Sequence, residues 1–116
     1  MNIENLKPFD KYLIALDRLY ASYKLTESQF KQGKWEIDWC NRNANVHFEV
    51  IQNHLTSLKE NYKSFKKIYS AVLKDYSNLT EYERNIFNEN KPILKNAENL
   101  IQEIETFLDN NNICNM

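Results

Sequence analysis

Residues 35–50 read WEIDWCNRNANVHFEV, and the fold of this chain turns on whether they form two strands or part of a helix. Trp35, Ile37 and Trp39 alternate with Glu36, Asp38 and Cys40, and further on Val46, Phe48 and Val50 alternate with His47 and Glu49. Alternation puts every second side chain on one face of a strand, and aromatic and β-branched residues suit that pleated surface. The connector NRNAN at 41–45 is poor in helix formers. On periodicity the stretch reads first as a small β-hairpin with Arg42 and Asn43 in its turn. A helical reading stays open, because Ile37, Asn41, Ala44 and Phe48 fall four, three and four residues apart and continue the apolar phase of the segment that follows.

In that segment Ile51, Leu55, Leu58, Tyr62, Phe65, Tyr69, Val72 and Tyr76 recur at alternating steps of four and three residues. Such a stripe stays on one side of a helix and predicts one over 51–77, roughly 40 Å long at 1.5 Å per residue. Upstream, Pro8 suits a first helical turn, and Phe9, Tyr12, Leu13, Leu16, Leu19, Tyr20 and Tyr23 predict a helix over 8–24. Thr26-Glu27-Ser28-Gln29 has the form of a capping box, which predicts a new short helix ended by Gly33. Downstream, Thr80-Glu81-Tyr82-Glu83 is a second capping box. Pro92 lacks a backbone donor and its ring clashes with the preceding turn, so the last region should divide into helices over 81–90 and 92–109. Ile93, Leu94, Ala97, Leu100, Ile101, Ile104, Phe107 and Leu108 form the apolar face of the second. The tail 110–116 has little to bury and is expected to fray. The pattern predicts a mainly α fold, an antiparallel three- or four-helix bundle with a small hairpin at 35–50.

With 116 residues, one domain over 1–116 is expected. One glycine and two prolines argue against a sandwich or barrel, which needs many turns. No apolar run approaches the roughly 20 residues of a membrane span, and MNIENLKPFD carries neither a basic lead-in nor an apolar signal core. A cytoplasmic protein is expected. Cys40 and Cys114 lie far apart and read as free thiols. His47 and His54, seven residues apart with no carboxylate pair to complete a site, predict no metal, and no cofactor is implied. The net charge of −1 is unevenly spread. Lys59, Lys63, Lys66, Lys67 and Lys74 face only Glu60 and Asp75 in 51–78, whereas 79–116 holds three cations against seven carboxylates. Two neighbouring helices of opposite charge would explain this, as would a basic face offered to an anion.

Arg42-Asn43-x-x-x-His47 resembles the motif of the HEPN superfamily, helical proteins that cut RNA without a metal and commonly dimerise so that two motifs share a cleft. By that six-residue resemblance Arg42 would hold the scissile phosphate, Asn43 would orient the site, and His47 would move a proton as a 2′-hydroxyl attacks. Imidazole and guanidinium suit those tasks. The composition points elsewhere. Seven tyrosines and two tryptophans exceed what a small core easily hides, and such rings serve as interface anchors. Trp35, Trp39, Tyr69 and Tyr76 are the contact residues expected. In type, without a shared motif, the chain resembles small mobile-element-encoded inhibitors such as anti-CRISPR proteins, or immunity proteins that neutralise toxins. The preferred expectation is a non-catalytic protein that binds and modulates a protein or ribonucleoprotein partner. A HEPN-like ribonuclease, and a nucleic-acid-binding bundle using Lys59, Lys63, Lys66, Lys67 and Lys74, are the alternatives. A homodimer is compatible with each, and no membrane partner is expected.

Overall fold

A computed structural model describes residues 7–40 and 44–110, with residues 39, 40 and 44 described by backbone alone. The fold is mainly α. Helix α1 spans Pro8–Trp35 and passes into a single π-helical turn, Glu36–Cys40; α2 spans Ala44–Lys74, α3 Glu81–Glu89 and α4 Pro92–Asn110, with a 3-10 turn at Tyr76–Asn78 before α3. Among the described residues there is no strand.

The hairpin expectation at 35–50 is therefore corrected: its two arms are helical on either side of 41–43. The physical reason lies in a second pattern that overlaps the alternating one. Thr26, Phe30, Gly33 and Ile37 follow at steps of four, three and four, and all are buried. Continuing α1 thus puts Ile37 into the core, whereas a lone two-stranded hairpin is marginal in water. The second arm behaves alike: Phe48 is buried in phase with Ile51 and Leu55, while Val46 is exposed. Arg42 and Asn43, placed in a turn by the hairpin reading, lie outside the described residues.

Two further boundaries differ from expectation. Helix α1 does not stop near Lys24, and Thr26 does not cap a second helix. Instead Thr26 is buried, 1% exposed, and its hydroxyl donates to the His54 carbonyl of α2 at 3.3 Å. Gly33 does not terminate a helix either. A Cβ there would meet Ile51 Cδ1 at 2.8 Å, so the glycine lets α2 approach closely. Where the sequence offered a cap and a stop, the fold uses both residues for helix packing.

Cross-helix contacts give the helix directions. Tyr12 of α1 meets Phe65, Thr26 meets His54 and Gly33 meets Ile51, so α1 and α2 run antiparallel. Tyr62 donates to Glu98 at 3.1 Å and Lys59 to Glu105 at 3.1 Å, which sets α4 antiparallel to α2. The heptad stripe of α2 faces this interior: Ile51, Leu55, Leu58, Phe65 and Val72 are buried, with Tyr62 and Tyr69 half-buried along its edge and Tyr76, the last residue of the stripe, half-buried in the 3-10 turn beyond the helix. Each buried Leu, Ile or Phe contributes about 1.5–3 kcal/mol through area removed from water.

Helix α3 is short and begins at a complete capping box. Glu83 N–H donates to Thr80 Oγ1 at 3.1 Å, and Thr80 N–H to Glu83 Oε1 at 2.9 Å. Its one buried residue is Phe87, stacked on Tyr69 at 4.8 Å and tilted against Tyr12 and Tyr76 at 5.3 and 5.9 Å. Arg84 ties the helix to the turn before it, donating to the carbonyls of Tyr76 at 3.3 Å and Ser77 at 2.8 Å. Pro92 opens α4 as its first residue, as its missing donor requires.

Candidate functional site

The expected contact residues separate into two places. Trp35 closes α1 and is 54% exposed; Val46, on the first turns of α2, is 57% exposed. The antiparallel register that sets Gly33 beside Ile51, with His47 Cβ 3.8 Å from the same point, brings these two apolar side chains to the same end of the helix pair. Trp39 lies in the adjoining π turn, its side chain outside the described atoms. Tyr69 stands 23 residues beyond Val46 along α2, roughly 35 Å away at 1.5 Å per residue, and Tyr76 lies past the end of α2 in the 3-10 turn. Both are half-buried against α3: Tyr69 stacks on Phe87, and the Tyr76 hydroxyl accepts from Asn88 at 3.0 Å beneath the Arg84 guanidinium. They seal the interior at that end. Among the described residues the other exposed large apolar side chains are Tyr20, Leu25, Leu73 and Tyr82. Sequence reasoning missed Val46, because alternation placed it on the covered face of a strand.

The five lysines of α2 are all exposed but are not equivalent. Lys59 pairs with Glu105, and Lys66 lies over the Tyr62 ring at 5.8 Å. Between α2 and α4 runs a groove of about 520 Å³, whose α2 bank carries Lys59, Lys63 and Tyr62 and whose α4 bank carries Glu98, Gln102 and Glu105. The charge contrast between chain segments is thus in part an attraction between two helices. Burial raises the Tyr62 hydroxyl above its ordinary pKa, as does its bond to the Glu98 carboxylate. Burial likewise raises Tyr23, aided by Glu27.

His47 sits half-buried near the start of α2, on the side that meets α1 beside Gly33. Arg42 and Asn43 lie outside the described residues, so the geometry of the three together is not described. Among the described residues no group of three His, Cys, Asp or Glu side chains is placed to hold a metal ion. Among the described residues no helix is long and apolar enough to cross a membrane.

One polar atom stands out in the interior. Tyr12 is fully buried among Phe9, Phe65 and Phe87, and its hydroxyl has no hydrogen-bond partner among the described residues. Burial, with a smaller contribution from Tyr69, pushes its pKa up to about 12.

Compared with known protein families, curated proteins and solved structures, the chain matches none.

Proposed function

We propose that this chain, an antiparallel bundle of four helices, is a non-catalytic interaction protein whose Trp35 end docks on a protein or on the protein part of a ribonucleoprotein, inhibiting or modulating it. One observation carries the reading: a tryptophan and a valine, each more than half exposed, share the α1–α2 end of the molecule. An indole left in water forgoes about 2 kcal/mol or more of burial, and rigid aromatic anchors of this kind dominate protein interfaces. A preformed helical end acts by occluding its target or holding one conformation of it. The test places a photo-crosslinking amino acid at position 35 in the full-length chain, identifies the captured protein, and titrates that protein in purified form. Trp35→Ala should weaken binding at least about tenfold, as expected for a central aromatic anchor. Equal affinity of the wild type and variant would sink the reading.

A HEPN-like ribonuclease or an inactive relative is the second reading, favoured by the helical backbone on both sides of 41–43, since the resemblance needs His47 on a helix. It calls for RNA cleavage in EDTA that is lost in His47→Ala. Cleavage that survives this substitution, or none at all across dimeric and monomeric fractions, rejects an active enzyme.

A further inference from the structure

The groove between α1 and α2 differs in charge from the one between α2 and α4. It has a volume of about 150 Å³, with Lys11 and Arg18 on its α1 bank, Asn61 and Ser64 on its α2 bank, and Ile14 and Ile68 in its apolar lining. The two grooves share no lining residue. The α2–α4 groove sets Lys59 and Lys63 against Glu60, Glu98 and Glu105, whereas among the described residues no carboxylate lines the α1–α2 groove.

Its cations converge on one volume. Lys11 and Arg18 are two turns apart on the same side of α1, roughly 10.5 Å along the axis, so each side chain needs to cover only about half that rise to meet the other. Asp10 and Asp17, their neighbours in sequence, lie about 100° round the helix and do not line the groove. Among the described residues neither Lys11 nor Arg18 has an ion-pair partner, and the Ser64 hydroxyl has no hydrogen-bond partner. Asn61 donates one amide hydrogen to the Ser57 carbonyl at 3.0 Å and keeps the second. Two helices thus bring four donor-bearing side chains to a single small cavity.

We propose that this groove binds the phosphate of a small phosphate monoester, held by Lys11, Arg18, Ser64 and Asn61. Charge complementarity selects the group: two unpaired cations match the roughly −1.5 to −2 of a phosphate monoester near pH 7, whereas a carboxylate or a phosphodiester would leave one cation unmatched. The planar guanidinium fork of Arg18 meets two phosphate oxygens at once, and the Ser64 hydroxyl and Asn61 amide serve the others. The apolar lining strengthens these contacts by lowering the local dielectric. Size limits the ligand. At about 30 Å³ per water molecule in the liquid, the groove holds the volume of about five waters, enough for a phosphoryl group and a few further atoms. None of the exposed large apolar side chains lines it, so it lacks the anchors of a protein interface, which favours a small molecule over a phosphorylated protein. The site is separate from the Trp35 end and does not rest on it.

The test is a titration of the isotope-labelled full-length chain with inorganic phosphate and with phosphoserine at constant ionic strength, followed by NMR. The backbone amides of Lys11, Asn61 and Ser64 and the Arg18 Nε should shift together and saturate with one affinity. Acetate and dimethyl phosphate, each with a single charge, should bind at least about tenfold more weakly. Lys11→Gln and Arg18→Gln should each weaken phosphate binding about tenfold, with Arg18→Lys between Arg18→Gln and the wild type because it keeps the charge and loses the fork. Lys59→Gln and Trp35→Ala should leave binding unchanged, and helical circular dichroism of each variant confirms that the fold is kept. Shifts that never saturate overturn the proposal, as does equal binding of acetate or dimethyl phosphate. An equal loss in Lys59→Gln does so too, because it would mean diffuse attraction with no defined site. A phosphoserine peptide that binds more than about tenfold tighter than phosphoserine itself would overturn the small-molecule assignment in favour of a phosphorylated protein.

Discussion

The two ends of α2 are both lined by aromatic rings, yet the rings are used differently. At the Lys74 end Phe9, Tyr12, Phe65, Tyr69, Tyr76 and Phe87 touch one another in a continuous nest, and α3 is fastened over it by a capping box and by Arg84. At the Ala44 end the interior cluster is smaller: Phe107 meets Phe30 at 5.4 Å and Phe48 at 6.0 Å, with the Lys34 ammonium 5.9 Å from the Phe30 and Phe107 rings. Trp35, at that end, is more than half exposed. The contrast separates two jobs that composition alone merges. Rings in the nest stabilise the fold, and Trp35, left outside the smaller cluster, is available to a partner.

The largest expected effect breaks the nest. Phe87→Ala removes the one buried side chain of α3 and leaves a cavity facing Tyr12, Tyr69 and Tyr76, so urea unfolding should show a loss of about 4 kcal/mol. Phe107→Ala at the opposite end should cost less, about 3 kcal/mol, because that ring is 9% exposed where Phe87 is fully covered. If the two losses are reversed, stability is centred on the Trp35 end and the comparison fails.

Smaller changes sharpen it. Thr80→Ala removes the capping-box acceptor of Glu83 N–H and should cost about 1 kcal/mol, measured by thermal or urea unfolding. Tyr12→Phe should have the opposite sign, a gain of up to about 1 kcal/mol, because it deletes a buried hydroxyl that has no hydrogen-bond partner among the described residues and keeps the ring contacts. The same variant tests the ionisation of this group. The folded-state pKa of about 12 lies above the ordinary value of 10.0, so the folded chain holds the proton more tightly. Stability from this source is complete below about pH 10 and falls as pH rises toward 12. Tyr12→Phe should reduce that alkaline loss, with Tyr62 and Tyr23, also raised, supplying part of what remains. Trp35→Ala should be the smallest, less than about 0.5 kcal/mol, since an exposed side chain supports no core. A loss above about 2 kcal/mol would make Trp35 a structural residue and remove the basis for its role as an anchor.

Much of this architecture is written locally. The four-three stripe of α2, the Thr80 capping box and the break at Pro92 each specify their element through short-range physics: one helix face, two reciprocal hydrogen bonds, one missing donor. The lysines of α2 could be placed on an exposed face by the same reasoning. The candidate surfaces were legible only in part, because each joins residues distant in the chain. Lys59 meets Glu105 only across the α2–α4 interface, and the antiparallel register of α1 and α2 brings Val46 to the Trp35 end.

What the sequence by itself determined is the helical class, the phase of α2 and the start of its two last helices. Tertiary structure alone decided the rest. Residues 35–50 hold two overlapping periodicities that local propensity does not separate, and the helical one prevails because it buries Ile37 and Phe48 in a core built by other helices. Thr26 and Gly33 carry the local signals of a cap and a stop, yet each sits inside α1, where a neighbouring helix supplies the acceptor for one and needs the space left by the other.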